Sequence, residues 1–504
     1  MKTNINIQVI FLIKKGFYCV MNAEMDSGKY TYDFCRRKCH DGDVQYDGIF
    51  FSGVSSTKIY CRSTCPATSP LEKNNSFYQN KARAEKAGLR PCLRCRPELA
   101  PDQSIREDSM WQINNIIGRI HQGISPDDMA KPQLDEFTSI IGVTPTKYWK
   151  TIQLGFAKML LTDTSLSEEE IAKITKFDTS ENMVNELFQL YRRDPVKVRK
   201  PLKVEVEYGT KSCALLLFYR PPFDWSVLLN YFAARTITGV EKVTGDVYLR
   251  SFCLNGQQGW FSLQNVQDTN ALRLEVHAPD LSCLMPLVWR VRRMFDLNAD
   301  PLRLKELFKN DSILGSVWLR HPGIRVPVCW DTFEFTVRAI VGQLISVKTA
   351  TKLVKNIVET FADDLLISTP KGIKKIFPSA SCLRKMGKYS FGLTQNNIAA
   401  IEGFSQMVVE GIIDLKDIDN LDTFMQQCKS VRGIGEWTAQ SIAMRGMGSK
   451  NAFPASDLGI VQAMLSADSQ KITPARINRI AERWHPLRSY AAMLLWMKHK
   501  NKDN

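Results

Sequence analysis

The sequence predicts a multidomain α+β protein: a small zinc-bound α/β domain, an all-α block, an α+β sheet domain and an all-α C-terminal domain. Three observations lead there. The chain has 504 residues, more than one hydrophobic core normally serves. Cysteines at metal-ligand spacing crowd into a stretch too short to fold on a core of its own. Beyond it the apolar pattern changes from helical to alternating and back to helical. Hydrophobic residues make up 44% and charged residues 24%, which excludes disordered, collagenous and membrane-embedded classes.

Residues 1–28 read as a loose tail, with Met21 or Met25 as alternative starts. Residues 29–103 form the Cys-rich domain, with Ile49-Phe50-Phe51-Ser52-Gly53-Val54 as a short strand between turns. Residues 104–201 read as helices: Met110–His121, Tyr148–Leu161 with an apolar stripe, and a third opened by Ser167-Glu168-Glu169-Glu170. There Ser167 is an N-cap and the acids sit at the positive end of the dipole. Residues 202–315 bring back alternation, in Leu202–Tyr208 and Leu272–His277, the pattern of half-buried strands. Residues 316–504 are expected to be almost all helix, broken at Gly392, Gly411 and the Gly433–Gly435 turn.

The net charge is +15. Residues 1–100 contribute +7, residues 101–200 contribute −2 and the remainder +10, so both ends suit a polyanion such as nucleic acid and the middle does not. The longest early apolar run, Val9 to Ile13, is too short for a signal peptide or a membrane span. A cytoplasmic protein with no membrane partner is expected. In a reducing compartment, 13 Cys argue for metal or thiol chemistry over disulfides.

Cys61-Arg62-Ser63-Thr64-Cys65 and Cys92-Leu93-Arg94-Cys95 are two close thiol pairs, and four soft thiolates at this spacing suit a tetrahedral Zn2+. The bland alternative is four unligated buried thiols, which Pro91 and Pro97 around the second pair disfavour. Cys35, Cys39 and His40 have a similar spacing and read as parts of a helix end. Together with Phe50–Val54, Ser76-Phe77-Tyr78 and Arg90–Pro97, the cysteine motifs resemble the metal-binding N-terminal domain of Ada-type alkylation-response proteins. The resemblance implies that Cys61 accepts a methyl group from a DNA methylphosphotriester, with Cys65, Cys92 and Cys95 as the other zinc ligands. Lys58 departs from it, standing where relatives usually have Gly.

Leu154–Leu161, Ser165–Ala172 and Phe188–Arg199 resemble the paired helix-turn-helix module of AraC-type regulators, which places recognition helices in the major groove. Ser125–Gln133, with two Pro, shortens the first motif. The net charge of −2 is poor for reading DNA, and the alternative is a helical linker kept for packing.

In Val431-Arg432-Gly433-Ile434-Gly435-Glu436-Trp437, two glycines around one isoleucine before a helix allow a hairpin whose amides point outward as a phosphate clamp. A plain helix–helix turn is the alternative. Phe453-Pro454-Ala455-Ser456-Asp457 follows about 20 residues later. These segments, with Tyr219–Trp225, Ala233–Arg235, Arg338–Val347 and Ala481–Ala492, resemble the AlkA-type 3-methyladenine DNA glycosylases of the helix–hairpin–helix superfamily. The resemblance implies a base-excision enzyme acting on alkylated double-stranded DNA. Asp457 is its catalytic carboxylate, which stabilises the oxocarbenium sugar and activates water. Trp437 stands where bifunctional relatives carry a Lys, so hydrolysis without strand cleavage is expected. Trp437 and Trp496 stack on the extruded base, and Leu344 wedges into the gap it leaves. The bland alternatives are a helix cap for Asp457 and core packing for Trp496 and Leu344. Ser441 and Leu458 replace aromatics of some family pockets.

The three resemblances occur in the order of fused Ada–AlkA proteins. They imply a bacterial, nucleoid-associated, monomeric glycosylase joined to a methyl-accepting zinc domain. Two alternatives stand beside this: a methylation-sensing transcription regulator whose glycosylase half clamps DNA, and a plain glycosylase with an N-terminal targeting module. No Pro-Cys-His-Arg site of O6-alkylguanine repair occurs, and Cys329 lacks its neighbours.

Overall fold

A computed structural model describes residues 30–500 apart from 69, 103–110, 130, 195–209, 388–390, 416–419 and 466–471. The expected tail and the expected strand at Leu202–Tyr208 lie outside the described residues. The Cys-rich domain opens with helix α1 (Tyr32–His40) and continues through β1 (Phe51–Val54), β2 (Ile59–Arg62), β3 (Asn75–Tyr78), α2 (Lys81–Lys86) and β4 (Arg90–Pro91). Its sheet runs β3-β1-β2-β4. The pairing of β2 with β4 is parallel, Ile59 against Arg90 and Tyr60 against Pro91, so the two thiol pairs that follow these strands emerge at the same end. Lys58, before β2, has φ 55. That left-handed conformation costs a side-chain-bearing residue about 1–2 kcal/mol, a cost that Gly would avoid.

Among the described residues five helices follow: α3 (Trp111–His121), α4 (Lys131–Ile141), α5 (Pro145–Asp163), α6 (Glu168–Ile174) and α7 (Ser180–Tyr191). Ser167 and Glu170 form a reciprocal capping box at α6, as the acidic run predicts. Only a 3-10 turn at Pro126–Asp128 precedes α4, because Pro126 and the two acids after it start a turn without an apolar face to propagate it.

The sheet domain contains β5 (Lys211–Phe218), α8 (Trp225–Ala233), β6 (Glu241–Thr244), β7 (Val247–Leu254), β8 (Gln257–Val266), β9 (Ala271–Ala278), α9 (Leu284–Met294), α10 (Pro301–Phe308) and α11 (Gly315–Arg320). The five strands are antiparallel in the order β5-β9-β8-β7-β6. In β9, Leu272, Leu274 and Val276 are buried and Arg273 is exposed, the alternation read from the sequence. The last domain is helical: α12 (Thr332–Val341), α13 (Val347–Phe361), α14 (Ala380–Leu383), α15 (Gln395–Val409), α16 (Leu421–Ser430), α17 (Glu436–Ser441), α18 (Leu458–Met464), α19 (Pro474–Ala481) and α20 (Arg488–Lys500). A π-turn, Ile442–Gly446, continues α17.

The domains are locked together. One apolar core runs from Ile113 in the helical block to Leu297 in the sheet domain. Arg220, 0% exposed, spends all five of its N–H donors on carbonyls: Nε on Asp47 at 2.8 Å, Nη1 on Asn298 at 3.1 Å and Ala299 at 2.9 Å, Nη2 on Pro101 at 3.1 Å and Asp102 at 2.6 Å. A guanidinium taken out of water is tolerated when every donor is matched. Asn80 and Arg83 donate to the Ile141 carbonyl, and Lys86 to that of Gly142, so α2 presents donors and cations to the negative end of α4.

His121 sits at the same junction, stacked 5.0 Å from Trp289 with Nε2 3.4 Å from Asp102. Burial pulls its imidazole down to about 4 despite that carboxylate. The unfolded chain therefore takes up this proton first, and His121 removes stability as pH falls from 6.5 toward 4. Relative to His121→Gln, the unmodified chain should lose about 3 kcal/mol across that window. Denaturant unfolding at pH 7 and pH 4 measures it, and a constant difference between the two proteins would contradict it.

Candidate functional site

The metal centre is assembled by turns. Cys61 lies in β2 and Cys65 in the turn closed by its amide on the Arg62 carbonyl (3.1 Å). Cys92 and Cys95 occupy the turn after β4, where the Cys92 amide bonds Tyr60 and the Arg96 amide bonds Cys92. The four sulfurs lie within 4.8 Å of one another. A tetrahedron with metal–sulfur bonds of about 2.3 Å has sulfur–sulfur edges of about 3.8 Å, the same scale. The hydrogen bond from Cys61 draws the Cys65 thiol down to about 7, and contact with the same sulfur lowers Cys92 while Cys61 itself is raised. Four thiols competing for protons at this range fit a thiophilic dication, and the domain binds Zn2+. Cys35 and Cys39 lie on α1 outside this group, both pushed up to about 12 by burial.

Both thiol turns are anchored to the rest of the protein. Arg62, next to Cys61, grips the buried Asp47 carboxylate through Nε (2.8 Å) and Nη2, and its guanidinium lies 5.1 Å from the Phe218 ring of β5. Arg96, next to Cys95, makes a two-pronged ion pair with Asp163 of α5 at 2.7 and 2.8 Å. Glu98 accepts from Lys158 of α5 at 2.7 Å.

The second site lies in the helical domain. Asp457 caps α18, with Oδ1 accepting from the Gly459 amide at 3.0 Å and the Ile460 amide at 3.3 Å. The bland reading of Asp457 as a cap is therefore correct as far as it goes. The same carboxylate also accepts from two indoles: Trp496 Nε1 on Oδ1 at 2.7 Å and Trp437 Nε1 on Oδ2 at 3.0 Å. All four neighbours are donors, which matches an acceptor-only carboxylate. Oδ1 carries three of them and Oδ2 one, so Oδ2 keeps acceptor capacity. Trp496 lies inside α20, partly buried and packed against the core of its domain, while its Nε1 reaches Asp457. Gly459 makes this approach possible: a Cβ there would stand 2.9 Å from Trp496 Cδ1 and 3.3 Å from Asp457 Oδ1. Ser441 is buried and Leu458 exposed.

Leu344, in the α12–α13 connection, is 105% exposed with φ 60, which rules out core packing. A bulky residue held left-handed in solvent is a strained outlier of the kind that clusters at functional sites. Its neighbour Gln343 donates to the Gly433 carbonyl and to Thr438 Oγ1, both at 2.9 Å, fastening this loop to the hairpin. Buried ion pairs fix α12 itself: Arg338 bonds Glu334 and Glu241, and Arg250 bonds the same two carboxylates.

The hairpin between α16 and α17 turns at Gly433, φ 96. Ile434 is buried and its amide donates to Val431 at 3.0 Å, so Ile434 anchors the turn from inside. Among the described residues the Gly433 and Gly435 amides donate to no backbone carbonyl, and a Cβ at Gly435 would meet nothing within 4 Å. That face is open to a partner.

Two family models match the chain. One, the metal-binding domain of Ada, spans residues 34–98, and the other, the AlkA N-terminal domain, spans residues 214–331. The DNA-3-methyladenine glycosylase 2 of Escherichia coli (strain K12) is 31% identical over 290 residues, 56% of this chain and 95% of that protein. The chain belongs to the DNA-3-methyladenine glycosylase family. This glycosylase also carries the Ada zinc domain. A "Probable bifunctional transcriptional activator/DNA repair enzyme AlkA" of Mycobacterium tuberculosis (strain CDC 1551 / Oshkosh) is 28% identical over 92% of this chain and 96% of its own. The glycosylase fold matches the 3-methyladenine DNA-glycosylase of Archaeoglobus fulgidus with a TM-score of 0.50 at 21% identity, over 56% of this chain and 98% of that one. Among the described residues no helix is long and apolar enough to cross a membrane.

The sequence reading missed Gly459 and Gln343. The only signal for them was adjacency to Asp457 and Leu344. Gly459→Ala should displace the Trp496 indole from Asp457. A change in tryptophan emission together with at least a 10-fold fall in activity is expected, and unaltered emission would contradict the contact. Leu344→Gly relieves the backbone strain, so the thermal midpoint should hold or rise. Base release should fall on duplex DNA and stay unchanged on single strands, where there is no stack to enter. An equal fall on both would assign Leu344 another role.

Proposed function

We propose that the protein is a monofunctional DNA repair glycosylase that hydrolyses the N-glycosidic bond of alkylated bases, of the 3-methyladenine type, in double-stranded DNA. Its zinc domain takes up a methyl group from DNA methylphosphotriesters on Cys61. The observation that carries the first part is Asp457, a carboxylate enclosed by four N–H donors between two tryptophans, with Oδ2 still able to accept.

The alkylated base, turned out of the helix, lies against Trp437 and Trp496, whose electron-rich faces favour a cationic ring. Leu344 fills the gap in the stack, and the Gly433 and Gly435 amides hold a backbone phosphate. As the C1′–N bond breaks, its electron pair leaves with the base and C1′ becomes positive. Asp457 faces that charge, where a fixed carboxylate in a water-poor site stabilises it strongly. Water then adds to C1′ and Asp457 accepts its proton. Position 437 offers an indole and no amine, so no Schiff base forms and the abasic strand stays whole.

At the other centre, the Cys61 sulfur attacks the methyl carbon of the phosphotriester. A C–S bond forms, the C–O bond breaks and its electron pair stays on the phosphodiester. Zinc, when bound, supplies the thiolate form of that sulfur at neutral pH. The exposed positions of α7 are Glu181, Asn182, Asn185, Phe188 and Gln189, and the helix contains no Lys or Arg, which speaks against operator reading by the helical block. We assign that block a scaffolding role. The protein acts as a monomer on the nucleoid.

On methylated duplex DNA, Asp457→Asn should lose 100- to 1,000-fold in base release, read by chromatography of the freed bases. Near-normal release from this variant would overturn the role of the carboxylate. Labelled methyl from phosphotriester DNA should appear on Cys61 and not on Cys61→Ala, whose base release should persist.

A further inference from the structure

Behind the Trp496 indole lies a charge without a counterion in contact. Arg445, in the π-turn Ile442–Gly446, is 9% exposed. Its Nη2 lies 3.1 Å from Met493 Sδ and its Nη1 3.5 Å from the Pro327 carbonyl. The thioether is a weak acceptor and the carbonyl contact is long, while the Tyr231 side chain offers a further hydrogen bond. Among the described residues no carboxylate lies within ion-pair range of it. Its faces are covered instead by rings: Cζ is 4.6 Å from the centroid of Tyr231 and 4.9 Å from that of Trp496. Tyr231 carries a second guanidinium, Arg235, at 3.9 Å. Trp496 in turn donates Nε1 to Asp457 Oδ1 at 2.7 Å.

A buried cation with no carboxylate in contact is expensive to retain, and burial does weaken the charged form of Arg445. Desolvated charges beside an active site are often kept for function. A π-turn inside a helix also frequently marks a functional position. The arrangement has a clear physical effect. A cation on an indole face draws electron density from the ring and strengthens the N–H as a donor. The Asp457 carboxylate then feels a positive charge across the indole, without a cation occupying the oxygen that must face the sugar.

We infer that Arg445 is a positioning residue for base excision, which acts through Trp496 to hold Asp457 in place with Oδ2 open. This rests on the proposed glycosylase reaction. A direct Arg–Asp ion pair would keep the carboxylate charged and also consume its acceptor capacity. The indole separates those two effects.

The test compares the full-length protein with Arg445→Met and Arg445→Lys. Arg445→Met removes the charge and fills the space, so its thermal midpoint should equal or exceed the original. On methylated duplex DNA its kcat should fall 10- to 100-fold, with KM within about 3-fold, while Arg445→Lys recovers part of kcat. Binding is read independently of turnover, with duplexes carrying a cationic pyrrolidine or a neutral tetrahydrofuran abasic analogue. The original protein should prefer the cation, and Arg445→Met should lose at least 10-fold of that preference. An unchanged kcat and cation preference in Arg445→Met overturns the inference alone. So does a loss of activity that follows a lowered midpoint and is not recovered by Arg445→Lys. An original protein with no preference for the cation overturns the proposed reaction and the inference with it.

Discussion

The arrangement of the molecule depends on one guanidinium. Arg220 has five N–H groups and meets five carbonyls, contributed by the Cys-rich domain, by the segment that leaves it and by the sheet domain. Each bond is ordinary; what matters is that none can be lost without stranding a buried donor, and a stranded buried donor costs about 1–3 kcal/mol. The docking of these parts is therefore close to all-or-none. Arg325 reinforces it by donating to the Arg220 and Pro222 carbonyls at 2.8 and 2.9 Å. The acidic helical block completes the assembly by sharing its core with the sheet domain and by receiving the ion pairs from the second thiol turn.

The two sites solve opposite electrostatic problems. At the metal centre, four sulfurs crowd together and need an external positive charge to stay there. At Asp457, a single negative charge is held by neutral N–H groups, and a cation would be detrimental if it took the free lone pairs. Helix capping contributes two of the four donors at Asp457, so the same contacts that start α18 also orient the carboxylate. Fold and chemistry are not separable at that residue.

Much of this was legible in the sequence because it depends on local rules. The thiol spacing, the Ser167 cap, the glycine hairpin and the alternation at Leu272–Val276 each follow from a few neighbouring residues. The left-handed position of Lys58 was visible only as a missing glycine. Contacts between distant segments were not legible. Nothing in Tyr219-Arg220-Pro221 shows that its arginine reaches Asp47 and Ala299. Nor does the apolar stretch around Trp496 show that the indole would bond Asp457, since such a helix suits a core equally well. Gly459 and Gln343 matter through side chains far along the chain, and a single sequence carries no sign of that distance.

In the role proposed for it, the exposed Leu344 bears on how damage is sought. Its side chain stands outward before any DNA arrives, and Gln343 pins the loop that carries it to the hairpin. In the proposed role the side chain is already placed outward in the free protein, so encounter with a duplex requires little rearrangement of this loop. The energetic burden of inspection then falls on the nucleic acid, and weakly stacked steps yield to it first.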